Sequence, residues 1–359
     1  MAAYYLQMQP HLFRVAVESE FEKIKEQRHA GSDPLPPPSA DSVDLVLSKR
    51  MAEVRRMEEE AAIEDLMYIC ILEKFQEIGV TLLPDVSPIP ESLSALKSLT
   101  EGVHTKEALD MVKEHVLSVL GPASMAYADT RIKMSKLQAA QVYAASIMFG
   151  YFLRRVDSRF QLAKQVGVVP ESPEDAVARL ERMFAMADEM DGSVDPDAAV
   201  IPDPPSPGTP GAASSAAADQ AEASIVSKKQ KGSLRQYVES FDQETMVAVA
   251  RLVTVEGAAL VERQTKALFG DVKALQTQMQ EAVGSDAASM DELMARVQQA
   301  VANGSVEVLD MTVGTQRRAV LEAVAYGCFL RDVEGWVDRD YGLLTAVSVS
   351  GGGGDGGSL

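Results

Sequence analysis

Apolar residues recur three and four positions apart along most of the chain, the spacing of helices that bury one face. Leu12, Val15, Phe21 and Ile24 mark a helix over residues 4–28. Asp41 or Ser42 can cap a long charged helix, whose apolar positions run from Val43 through Val54, Ile63 and Ile71 to Phe75 and which Gly79 closes. A helix over Thr105–Leu120 ends at Gly121, and others are predicted over 136–165 and 172–189. Beyond residue 233 the pattern gives helices up to Gly270, the amphipathic segment MDELMARVQQAVANG closing on Gly304, and a last helix in RRAVLEAVAYGCFLRDVEGWVDRDYG. Between the last two, SVEVLDMTVGT (residues 305–315) alternates and carries β-branched residues, so a short strand or hairpin is expected. The predicted fold class is mainly α, with a short β element in the second half.

The periodicity stops at three places. GSDPLPPPSAD (31–41) is a proline-rich loop that cannot be helical. From Pro202 to Gly211, seven of ten residues are proline or glycine, inside an Ala/Pro/Ser-rich stretch. Such a segment buries too little apolar surface to offset its ordering entropy, so 191–232 is expected to be a disordered linker. The Gly-rich tail, 347–359, is expected to be disordered for the same reason. These breaks divide the chain into a first helical domain at 1–190 and a second at 233–346.

Two helices carry nearly the same heptapeptide, FGYFLRR at 149–155 and YGCFLRD at 326–332, at an offset of 177. Phe149 aligns with Tyr326, Gly150 with Gly327, Phe152 with Phe329, Arg154 with Arg331 and Asp157 with Glu334. The helices before them, VKEHVLSVLG (112–121) and VERQTKALFG (261–270), also agree in part, at an offset of 149. The pattern reads as two related helical-bundle halves from a diverged internal duplication, the second with a loop longer by 28 residues, since 177 − 149 = 28. A glycine inside a helix costs about 1 kcal/mol relative to alanine, so it is expected where another backbone or a large ring comes close. Arg154 with Asp157, and Arg331 with Glu334, sit three apart on one helix face, the spacing of an ion pair. Gly150, Phe152, Arg154, Asp157, Gly327, Phe329, Arg331 and Glu334 are the candidate ligand-binding residues. Plain core packing is the favoured reading of the same set.

Composition narrows the class. The chain has 34 Lys and Arg against 53 Asp and Glu, a net charge of −19. Phosphate backbones and anionic membranes repel such a chain, so nucleic-acid binding is not expected. The longest nearly apolar run, residues 139–153, falls short of the ~20 needed to span a bilayer, so no membrane span is expected. Cys70 and Cys328 sit in apolar runs and read as buried hydrophobes. The N-terminus shows neither a secretory signal nor the Arg- and Ser-rich character of a transit peptide.

No chemistry-bearing motif stands out. His104 and His115 are eleven residues apart, ~16 Å along a helix and too far to share a metal. Glu101 precedes His104 with E-x-x-H spacing, but a di-iron bundle needs two such motifs. No phosphate-binding glycine loop or nucleophile elbow is present. No catalytic residue, metal site or cofactor is therefore expected.

QPHLFRVAVESEFEKI, DLVLSKRMAEVRRMEE, QAAQVYAASIMFGYFLRRVDSRFQL, LRQYVESF with ALFG, and LEAVAYGCFLRDVEGWVD resemble the plant and algal UV-B-induced chloroplast protein family, built around domain of unknown function 760. The resemblance covers nearly everything outside the linker and tail. It implies a helical fold and a chloroplast location, and it carries over no activity and no catalytic residues. The expected function is a non-enzymatic stromal interaction or regulatory protein with an unidentified protein partner. The alternative is a small-molecule binder or enzyme with a pocket at the repeated Gly–aromatic–Arg helices.

Overall fold

The structure, a computed structural model, describes residues 10–30, 42–83, 93–122, 128–167, 233–284 and 290–347. The proline loop at 31–41, the helix expected at 172–189, the linker at 191–232 and the tail beyond Val347 lie outside the described residues. The fold is mainly α. Its elements run α1 (Pro10–Ala30), α2 (Ser42–Glu77), α3 (Leu93–Glu101), α4 (Lys106–Leu120), β1 (Arg131–Ser135), α5 (Lys136–Val166), α6 (Leu234–Glu239), α7 (Gln243–Ala250), α8 (Val255–Phe269), α9 (Val272–Val283), α10 (Met290–Ala302), β2 (Val308–Thr312) and α11 (Val313–Tyr341).

The backbone divides into two compact units. One comprises residues 1–157 and 241–359, and therefore takes in helices from both sides of the 191–232 stretch. The other is residues 158–240, within which the ring of Phe160 lies 5.5 Å from that of Tyr237.

The larger unit is built around α11. Every residue from Ala319 to Leu330 is buried, the mark of a helix covered on all sides. Phe75 of α2 meets the Phe329 ring edge-on at 5.0 Å, and Phe21 of α1 stacks on Tyr341 at 5.0 Å and meets Trp336 edge-on at 5.6 Å.

The strand expected within 305–315 is β2. It pairs antiparallel with β1, whose sequence RIKMS gave no strand signal because it holds only two apolar residues. The register centres on Lys133 opposite Asp310, with Arg131 opposite Thr312 and Ser135 opposite Val308. Each strand lies 177 positions from its partner's equivalent residue. The ladder ends reciprocally: the Lys136 amide donates to the Glu307 carbonyl at 2.8 Å and the Val313 amide to the Thr130 carbonyl at 2.9 Å. Ser135 and Thr312, again 177 apart, then cap α5 and α11 through bonds from the amides of Gln138 and Thr315.

The 28 extra residues after α8 are accounted for by α9 and α10, which pack on each other before β2. Among the described residues no helix is long and apolar enough to cross a membrane.

Candidate functional site

The repeated heptapeptides form the crossing of α5 and α11. A Cβ built on Gly150 would fall on the carbonyl of Val324, and one built on Gly327 on the carbonyl of Ile147. Ile147 and Val324 are themselves 177 apart, so the contact is reciprocal. Each glycine lets the other helix's backbone into van der Waals range, and neither leaves a void. Phe329 is buried and Phe152 half-buried beside the crossing.

Around it lie two carboxylates at equivalent positions, each bonded to a helix cap. Thr105 caps α4, and its hydroxyl donates to Asp157 at 3.0 Å. Thr254 caps α8, and its hydroxyl donates to Glu334 at 2.5 Å. The 149 offset that aligns α4 with α8 also aligns the two threonines, so this pairing was present in the sequence as a signal that helix matching alone passes over.

The surroundings of the two carboxylates then differ. Glu334, 1% exposed, also accepts from the Tyr151 hydroxyl at 2.5 Å and the Arg331 guanidinium at 2.6 Å. Three donors satisfy a carboxylate that is out of reach of water. The Arg331 guanidinium lies 5.8 Å from the centre of the Tyr151 ring. Burial and the neighbouring carboxylate push the Tyr151 hydroxyl up to about 12, so it stays a donor. Arg154, the equivalent arginine, donates to Asp332 at 2.7 Å. Arg155 donates to the carbonyls of Ala248, Val249 and Arg251, closing the C-terminal end of α7. The sequence had singled out Arg154, Asp157, Arg331 and Glu334. It missed Tyr151, Asp332, Arg155 and the two threonines, whose roles depend on which helices meet.

Two further buried groups were unforeseen. His104 sits with Nδ1 3.9 Å from the Cys328 sulfur, and its Nε2 is buried without a hydrogen-bond partner among the described residues. Burial, helped by Arg154, lowers it to about 4, so the ring is neutral. The Cys328 thiol donates to the Gly150 carbonyl at 3.2 Å, and burial raises its pKa, which keeps it inert. Glu322, fully buried in α11, receives the Leu83 amide on both oxygens at 3.2 and 3.1 Å. Burial outweighs that bond and the nearby Arg318, and pushes it up to about 8.

A cavity of about 240 Å³ opens between α1, α2 and α11, lined by Arg14, Glu73, Lys74, Asp332 and Trp336 among others, with Cys70 at its wall. Burial pushes the Cys70 thiol up to about 12, so it offers no nucleophile. Among the described residues no group of three His, Cys, Asp or Glu could hold a metal ion.

A family profile described as protein of unknown function, DUF760, matches residues 46–166. The chain is also 30% identical over 338 residues to the UV-B-induced chloroplastic protein of Arabidopsis thaliana, covering 92% of this chain and 72% of that one. The chain belongs to this UV-B-induced chloroplast family. A chloroplast location goes with that membership. The family match begins in α2 and ends with α5, so it takes in Thr105, Gly150, Arg154 and Asp157 but stops short of α11. No solved structure matches the chain.

Proposed function

We propose that this protein is a non-enzymatic interaction or regulatory protein of the chloroplast stroma, tied to light or UV-B stress. The observation that carries this reading is the filled crossing of α5 and α11. A pocket at the repeated helices needs open space before Gly150 and Gly327 and arginines whose charge is not already matched by a carboxylate. The space is taken by helix backbone, and Arg154 and Arg331 bond to Asp332 and Glu334. An adjacent carboxylate opposes the charge an anionic ligand would seek. Exposed large apolar side chains lie elsewhere, five of them together on the N-terminal turns of α2. The match of strand, cap, crossing and carboxylate at constant offsets supports two copies of one ancestral helical unit, joined face to face in one core.

The test is affinity purification from stroma, with mass spectrometry of co-purifying proteins and small molecules. The doubly substituted Arg154→Met, Arg331→Met variant should lose stability and keep the wild-type protein partners. Unchanged stability together with loss of a bound small anion would instead favour a ligand pocket.

A further inference from the structure

We infer that the N-terminal turns of α2 pair antiparallel with the same turns of a second copy of this chain, with Val54 at the two-fold axis. The inference rests on the interaction reading above and names its partner.

Arg28, near the end of α1, approaches Glu59 of α2 at 3.6 Å, while Arg14 near its start lines the cavity with Glu73. The two helices thus run antiparallel, and the turns of α2 before Glu59 continue past the end of α1. From Val46 to Glu58 every residue is exposed except the half-buried Ser48. A helix solvated on all faces has no packing to hold it, and helices that short are marginal alone in water.

This stretch is mixed: seven of its thirteen residues are polar or charged, yet its large apolar side chains gather on one side. Val46, Leu47, Met51, Val54 and Met57 are between 47% and 65% exposed. At 100° per residue they fall within an arc of about 140°, with Ala61 continuing the stripe. Five large apolar side chains on one solvated stripe mark an interface.

Charge selects a second copy, reversed. With Val54 opposite itself, Leu47 comes level with Ala61 and Met51 with Met57. Lys49 of one copy comes level with Glu59 of the other and Arg50 with Glu58, while Glu60, one position further along, shares their flank of the helix. A parallel pairing would set Lys49 and Arg50 against their own copies and stack the three glutamates, which is repulsive at both ends. The pairing is isologous and closes as a dimer. A seam of about six residues a side is at the small end of interfaces, so association should be weak and concentration-dependent.

Sedimentation velocity from micromolar to millimolar protein should show a monomer–dimer shift that Val54→Glu abolishes, with an unchanged melting temperature. Cysteine cross-linking then fixes direction. A mixture of Leu47→Cys and Ala61→Cys chains should form the mixed disulfide, while Leu47→Cys alone should not cross-link. A wild-type chain that sediments as a monomer throughout, or self-cross-linking of Leu47→Cys that matches the mixture, overturns the pairing. Stromal recovery with Val54→Glu separates the two readings. If the wild type is monomeric yet Val54→Glu loses a stromal protein, the pairing fails and the interaction reading stands. If the wild type recovers no stromal protein at all, the interaction reading fails on its own account.

Discussion

The crossing of α5 and α11 and the projecting turns of α2 start from the same kind of sequence and end in opposite surroundings. Both carry large apolar residues at helical spacing. In α11 a dozen consecutive residues are buried and the glycine admits another backbone; in α2 between Val46 and Glu58 nearly every residue faces water. Periodicity reports that a face wants covering. It does not report whether the chain covers it itself.

The comparison breaks most sharply at the glycines. Gly150→Leu and Gly327→Leu should each destabilise the fold by ~3 kcal/mol or more, because the neighbour that must give way is backbone rather than a movable side chain. Since both glycines relieve one reciprocal contact, the double variant should cost less than the sum of the singles. Chemical denaturation measures both statements, and full additivity would mean the two contacts are independent.

A smaller effect separates the two carboxylates within the crossing. Glu334→Gln replaces an acceptor of three donors with an amide that presents its own donors to them, and should cost ~3–5 kcal/mol. Asp157→Asn disturbs the bond from Thr105 and should cost less, ~1–2 kcal/mol. Equal losses in denaturation would mean that the extra partners of Glu334 add nothing.

Much of this architecture was legible. The helices, the strand at Val308–Thr312 and the singling out of Gly150, Gly327, Arg331 and Glu334 follow from spacing and self-similarity. What was not legible was pairing in space. Nothing local tells that Gly150 meets the helix of Gly327 rather than some third helix, because the two lie on opposite sides of the 191–232 stretch. The strand RIKMS was hidden by its polarity, although position 131 plus 177 points straight at Val308. Helix α3 was missed because LLPDVSPIP before it reads as a break that runs on. Glu322 gave no signal at all: one acid in an apolar run looks like a solvated position until the run proves buried on every side.

That acid gives the core a pH dependence that the solvated turns lack. Glu322 titrates at about 8 in the fold against 4.5 unfolded. A raised value means stability is fullest below the unfolded value and is lost as pH climbs toward 8. His104 acts oppositely, at about 4 in the fold against 6.5, so its contribution is full above pH 6.5 and is lost as pH falls toward 4. Between about pH 4.5 and 6.5 the two slopes oppose each other. Above 6.5 Glu322 acts alone of the pair, and stability should decline by ~2 kcal/mol up to pH 8. Arg318, Tyr68 and Tyr143 are the other titratable groups whose charges couple to it. Glu322→Gln should flatten the decline in pH-dependent denaturation, and an unchanged slope would place its origin elsewhere.

The smallest expected effect sharpens the comparison from the other side. Met51→Glu and Val54→Glu sit on turns that contribute nothing to the core, so each should change the stability of the isolated chain by no more than ~0.5 kcal/mol. Both replace residues of modest or good helix propensity with glutamate, itself a good helix former, so the helix should be kept. The same kind of change one buried position along, Met67→Glu, places a carboxylate where the side chain is 0% exposed and should unfold the protein. Thermal melts of the three variants at low protein concentration decide the matter. If Val54→Glu melted well below the wild type there, the turns would be packed against their own chain, and the contrast between a self-covered face and a face awaiting a partner would disappear.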